Sequence, residues 1–229
     1  MTTADDLFLH EQIMLLVLRD EEGTVEFGAE YRHALGGAIL AELLLMQRLA
    51  ADEEGRKSIA RVLSEEPTGD DVMDECLGMV VASKPRPVGD WVGRFANMRD
   101  LKHRVAQRLC RRGVLRADEE SVLLIFSRKI YPEIDPAPEQ ALIERMRAAI
   151  FDDDAEIDSI TAILISVAHG AELLRFVFDK KELKKRRARI EQMVNGELSG
   201  QATKEAVEAM RAAVMVAVMI PAITTVVIS

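Results

Sequence analysis

Residues 31–49, YRHALGGAILAELLLMQRL, decide how this chain is read. Leu35, Ile39, Leu40, Leu43, Leu44, Met46 and Leu49 recur at steps of three and four, and other apolar residues fill the gaps. That period predicts a helix buried over most of its circumference. Gly36 and Gly37 lie inside it, where each costs about 1 kcal/mol relative to alanine. A double glycine in so strong a helix implies close approach by another backbone or by a ligand, and tight helix packing is the commoner use.

Working outward, the composition sets the class. The 229 residues are 30% charged and 4% aromatic, the balance of a mainly helical protein. The length suits one large domain or two small ones, with room for a substantial core. A formal net charge of -9 opposes general nucleic-acid affinity, yet a local basic patch can still hold a phosphate. Cys76 and Cys110 stand apart from each other and from any histidine. They read as ordinary thiols of a reducing compartment rather than zinc ligands. The opening MTTADDLFLHEQ is acidic and broken by charge, unlike a secretory signal. The expectation is a cytoplasmic protein.

The flanking segments alternate helices with two small hairpins. A first helix over 7–18 takes Asp5 or Asp6 as its cap. Residues 24–27 read as extended, 50–56 break the central pattern, and 58–63 return as a strand. Thr68 or Asp70 caps a helix over 71–81, and 84–89 form a loop before a segment starting at Trp91. A helix over 98–112 turns Leu101, Val105 and Leu109 inward and ends at Gly113. Residues 114–115 and 121–126 make the second hairpin, 131–138 a proline-bearing loop, and 139–151 another helix. Asp152 to Asp154 cap a core helix over 157–178. Residues 180–189, KKELKKRRAR, are the densest positive run. Residues 212–228 carry no charge but contain Pro221, and fall short of the about 20 apolar residues of a membrane span. A buried C-terminal helix is expected there, trailing into an apolar tail at 219–229.

Chemistry-bearing patterns are few. His10, His33, His103 and His169 show no metal-ligand spacing, and no nucleophile elbow, P-loop or dinucleotide fingerprint occurs. His169, in an apolar run, reads as a core histidine. Asp70-Asp71 and Asp74-Glu75 sit at a helix start, where capping explains them. No catalytic constellation, metal site or cofactor is expected. Two basic clusters remain. Arg99 and Lys102, three apart on the predicted helix, can converge on one anion, although a solvated helix face is the commoner outcome for such residues. The 180–189 run faces the same choice, and near anionic lipid it supplies about 1 kcal/mol per basic residue.

LFLHEQIMLLVLRDEEG, LGGAILAELLLMQRL, PTGDDVMDE, RLCRRGVL and LISVAHGAELL together resemble successive blocks of the Golgi phosphoprotein 3 family, in order, over about residues 5–218. The resemblance implies a mainly α, single-domain helical bundle with one or two small β-hairpins and no enzymatic activity. It further implies peripheral membrane binding through phosphatidylinositol 4-phosphate, and self-association through a hairpin at about 122–140. The family's lipid pocket uses a tryptophan, an arginine on the central helix and two arginines three apart. These positions fall on Gly28, Gly36, Arg99 and Lys102, so the aromatic wall and one arginine are absent. Arg32, one turn before Gly36, is the candidate replacement. The shortened N-terminus lacks the arginine-bearing arm of Golgi members, which points to a bacterial member without their cargo-adapter role. Two other readings stand beside this one. The first is a winged-helix-like DNA-binding regulator with 99–112 as recognition helix. The second is an oligomeric interaction protein whose lipid site has decayed.

Overall fold

A computed structural model describes residues 2–18, 22–25, 31–54, 57–122 and 126–197. Its centre is α2 (Tyr31–Leu45), which packs against α1 (Leu9–Val17), α3 (Asp71–Val81), α4 (Val88–Ala96) and α7 (Ser159–Gly170). Ala34 through Ala41 and Leu43 are all buried, as the apolar period requires. Gly36 explains the close packing. A Cβ there would overlap the Val92 carbonyl oxygen and stand 2.9 Å from the Ala96 nitrogen, so α4 rests on the bare backbone of α2. Gly37 is different, because a Cβ would meet only Val167 at 3.9 Å.

The central helix is shorter than its period predicts. The chain turns at Gln47, which has φ 54°, and Leu49 opens a strand. Strand β1 (Leu49–Glu54) pairs antiparallel with β2 (Lys57–Val62), with Leu49 opposite Val62 and Asp52 opposite Ile59. The expected break over 50–56 is therefore largely the first arm of a hairpin. An apolar residue at a strand start extends a helical period without belonging to it, which is why Leu49 misled.

Caps account for most other differences. Helix α1 begins after Phe8, whose N–H donates to Glu11 at 3.0 Å. Asp6 instead closes a short 3-10 turn, Ala4–Asp6, by accepting from the Thr3 N–H at 2.9 Å. Asp70 caps α3 as predicted, accepting from the Met73 N–H at 2.8 Å. Helix α4 starts inside the expected 84–89 loop. Helix α5 (Leu101–Arg111) starts three residues late, because Asp100 sits at φ 55°. It ends at Gly113 as expected.

Beyond it, β3 (Asp118–Val122) pairs with β4 (Phe126–Ile130), placing Glu120 opposite Arg128. The hairpin thus occupies 118–130. Residues 131–136 of the predicted 122–140 element are connector, and 137–140 are the first turn of α6 (Ala137–Phe151). The cap of α7 is Asp158, which accepts from the Thr161 N–H at 2.9 Å, and not the Asp152 to Asp154 run. The long helix predicted over 157–178 breaks at Glu172, φ 57°, giving α7 and the short α8 (Leu174–Val177). Helices α9 (Lys180–Lys185) and α10 (Arg187–Val194) follow.

The architecture is mainly α with two small antiparallel hairpins. One continuous core runs from Ala4 to Met193. Among the described residues, no helix is long and apolar enough to cross a membrane. The expected C-terminal helix and the tail at 219–229 lie outside the described residues.

Candidate anion-binding site

Helix α5 positions cations toward two different environments. Its Leu101, Val105 and Leu109 are buried, and this apolar stripe fixes where its charges point. On the C-terminal half, Arg108 Nε lies 3.0 Å from Asp70 and 3.2 Å from Glu11, while Arg112 Nε donates to Glu11 at 2.8 Å. Both carboxylates are fully buried. His10, also fully buried, stands 3.5 Å from Asp70. It stacks on Phe8, whose other neighbour is the Arg108 guanidinium, 5.1 Å from the ring centre. Burial alone would raise the Asp70 pKa, but His10, the Met73 N–H and Arg108 outweigh it and hold the carboxyl at about 2.

The N-terminal end of α5 faces the β3–β4 hairpin across an open concavity of about 790 Å³. Arg99, Lys102, Arg104, Arg128 and Lys129 line it against only Glu75 and Asp100, with His103 and Gln107 among them. Some of that charge is committed. Arg104 reaches Glu75 at 2.5 Å and Asp71 at 3.2 Å, and Arg128 pairs with Glu120 at 2.6 Å. Arg99 is 96% exposed and lies 3.4 Å from Asp100. Lys102 and Lys129 have no carboxylate partner among the described residues. Burial, and then the Arg128 charge, push the Lys102 pKa down, and an incoming anion would favour its charged form.

The predicted site residues divide accordingly. Arg99 and Lys102 do line one concavity, but not as i, i+3 partners on a helix, since Arg99 precedes the left-handed Asp100. Arg32 is exposed, and its Nε donates to the Ala96 carbonyl at 3.1 Å. It secures the end of α4 and does not line the concavity. Gly36 is buried beneath α4, so it contributes packing and no binding group. Gly28 lies outside the described residues. The expected core histidine is also misplaced. His169 is on an exposed face, and the buried one is His10.

Arg128, Lys129 and His103 were missed from sequence. The available signal was the pairing of an acidic strand, DEESV, with a basic one, FSRKI. Nothing in their spacing places that strand beside α5. For the 180–189 run, Arg186 and Arg189 turn inward to the carbonyls of Phe151 and Ala149, while the four lysines stay outside.

Fold and site together define a mainly helical protein with an open, cation-rich concavity between a helix start and a hairpin. The chain belongs to the Golgi phosphoprotein 3 (GPP34) family, whose sequence model matches residues 9–210. It is also similar to vacuolar protein sorting-associated protein 74 of Eremothecium gossypii, at 25% identity over 217 residues. That match covers 81% of this chain and 65% of the relative, so the chain spans a little under two thirds of the relative's length.

Proposed function

We propose that this chain is a peripheral membrane protein, not an enzyme, that binds an anionic phosphoinositide-type head group in the α5–hairpin concavity. The observation carrying this reading is the unpaired, half-buried Lys102 among surplus cations. A phosphate monoester supplies the missing negative charge with several acceptor oxygens. Family membership and the relative's name, which refers to protein sorting to a vacuole, fit a role at membranes. Residues 123–125, Leu-Leu-Ile, lie outside the described residues but are apolar in sequence, a composition that suits contact with a bilayer.

Duplex recognition by α5 is the weaker reading. Arg104, Arg108 and Arg112 are already paired with carboxylates of α1 and the α3 start, so few charges remain for a phosphate backbone. Co-sedimentation tests the proposal with neutral vesicles, phosphatidylserine vesicles and vesicles holding phosphatidylinositol 4-phosphate. Selective pelleting with the phosphoinositide, lost in Arg99→Ala/Lys102→Ala, is the expected result. Pelleting that merely follows total charge contradicts a defined pocket, and no pelleting refutes lipid binding.

A further inference from the structure

The concavity contains one side chain whose charge changes close to neutrality. His103 lies between Lys102 and Arg104 on α5 and lines the same space. Its Nδ1 is 3.0 Å from the Tyr131 hydroxyl, with the rings 5.7 Å apart. Tyr131 is 1% exposed, and its backbone N–H donates to the Gly23 carbonyl at 2.9 Å. Gly23, at φ +59°, presses so closely on the Tyr131 and Pro132 backbone that a Cβ would not fit. The phenol is therefore a fixed post, and Nδ1 is tied to it. Nε2 has no hydrogen-bond partner among the described residues and is free to take one. A neutral ring that accepts the tyrosine proton at Nδ1 offers Nε2–H. A protonated ring offers Nε2–H together with a positive charge.

We propose that His103 contacts the bound anion through Nε2 and makes affinity rise with acidity. This rests on the concavity being an anion site, as proposed above. Lys102 acts on the ring from its own helix, Asp100 from the residue just before that helix and Lys129 from β4. Arg99, Arg104, Arg128 and Glu75 border the same space, and Tyr131 sits beneath. In the empty site, burial first, then Lys102 and Lys129, hold the imidazole pKa below its usual range, against the pull of Asp100. A bound anion supplies the counter-charge these cations deny the ring. Protonation and binding then promote each other reciprocally. Each unit by which binding raises the pKa is worth about tenfold in affinity below that range.

The test compares wild type with His103→Gln, which keeps a donor but cannot charge. Affinities are measured at pH 7.5 and 5.5 for soluble inositol 1,4-bisphosphate and for phosphatidylinositol 4-phosphate vesicles. The ligand's own phosphates protonate near pH 6, weakening binding to both proteins, so the readout is the ratio of the two affinities. The ratio of wild-type to variant affinity is expected to grow by about fivefold or more on acidification. The His103 ring resonance should titrate at higher pH in the bound protein. Growth in both arms assigns the contact to the head group itself, and growth with vesicles alone assigns it to the lipid surface. A flat ratio and an unmoved titration, while Lys102→Ala still weakens binding, overturn the role of His103 and leave the concavity reading intact. No binding by wild type in either arm at either pH overturns the concavity reading, and this proposal with it.

Discussion

Arg108 and Arg112 at one end of α5, and Arg99 and Lys102 at the other, place the same chemistry in opposite environments. The first pair meets two fully buried carboxylates, while the concavity holds more cations than counter-charges. A buried ion pair punishes the loss of either partner, because the survivor is left uncompensated. An open cation without a partner costs the fold little when removed, and its energy is available to a ligand. Identity of residue type therefore says nothing about role. Burial and the partner decide it.

The largest expected effect tests the closed end. Asp70→Ala removes the α3 cap, takes away the carboxylate facing His10 and leaves Glu11 alone to balance Arg108 and Arg112, which should cost about 3 kcal/mol in denaturant unfolding. A loss below about 1 kcal/mol would mean the cluster does not hold α1, α3 and α5 together.

Acid unfolding is the next largest. The Asp70 pKa is depressed to about 2 from 3.8. Its contribution is fully present above pH 3.8 and is lost as pH falls from 3.8 toward 2. That loss should be about 2 kcal/mol. Glu42 acts oppositely, because burial raises its carboxyl above 4.5, so acidification through that range first relieves strain. Stability should hold to about pH 4 and then drop, and Asp70→Asn should flatten the drop. An identical acid limb in Asp70→Asn would remove Asp70 as its source.

At the open end the order of effects reverses. Lys102→Ala should leave the unfolding free energy within about 0.5 kcal/mol of wild type, since its charge sits among other cations. It should weaken head-group binding by about fivefold or more, or about 1 kcal/mol. If Lys102→Ala destabilised the protein as much as Asp70→Ala, the contrast between the two ends would collapse.

Legibility in the sequence follows the same division. The central helix, the α3 helix with its Asp70 cap, and the Gly113 stop were readable, because each rests on local spacing or one special backbone position. The buried cluster was not, since Glu11, Asp70 and Arg108 are far apart in sequence and meet only through packing. Half the concavity was visible as Arg99 and Lys102. Its other wall, Arg128 and Lys129, depends on where a hairpin docks, and the sequence carries no local signal for that. The family resemblance pointed to Gly36 as a pocket position, and here its bare backbone is where α4 packs on α2.

Arg99 provides the smallest and most discriminating change. It is almost fully exposed, precedes the helix and already lies 3.4 Å from Asp100. An exposed pair of this kind contributes at most about 1 kcal/mol and is screened by salt. Arg99→Ala should therefore weaken vesicle binding only about twofold at low ionic strength, with the difference vanishing as salt approaches the point where screening is short-ranged. Lys102→Ala, partly sheltered from solvent, should keep most of its effect at the same salt. A salt-resistant loss in Arg99→Ala would mean that this side chain folds into the concavity when the anion arrives, making the site a closing clamp rather than a fixed basin.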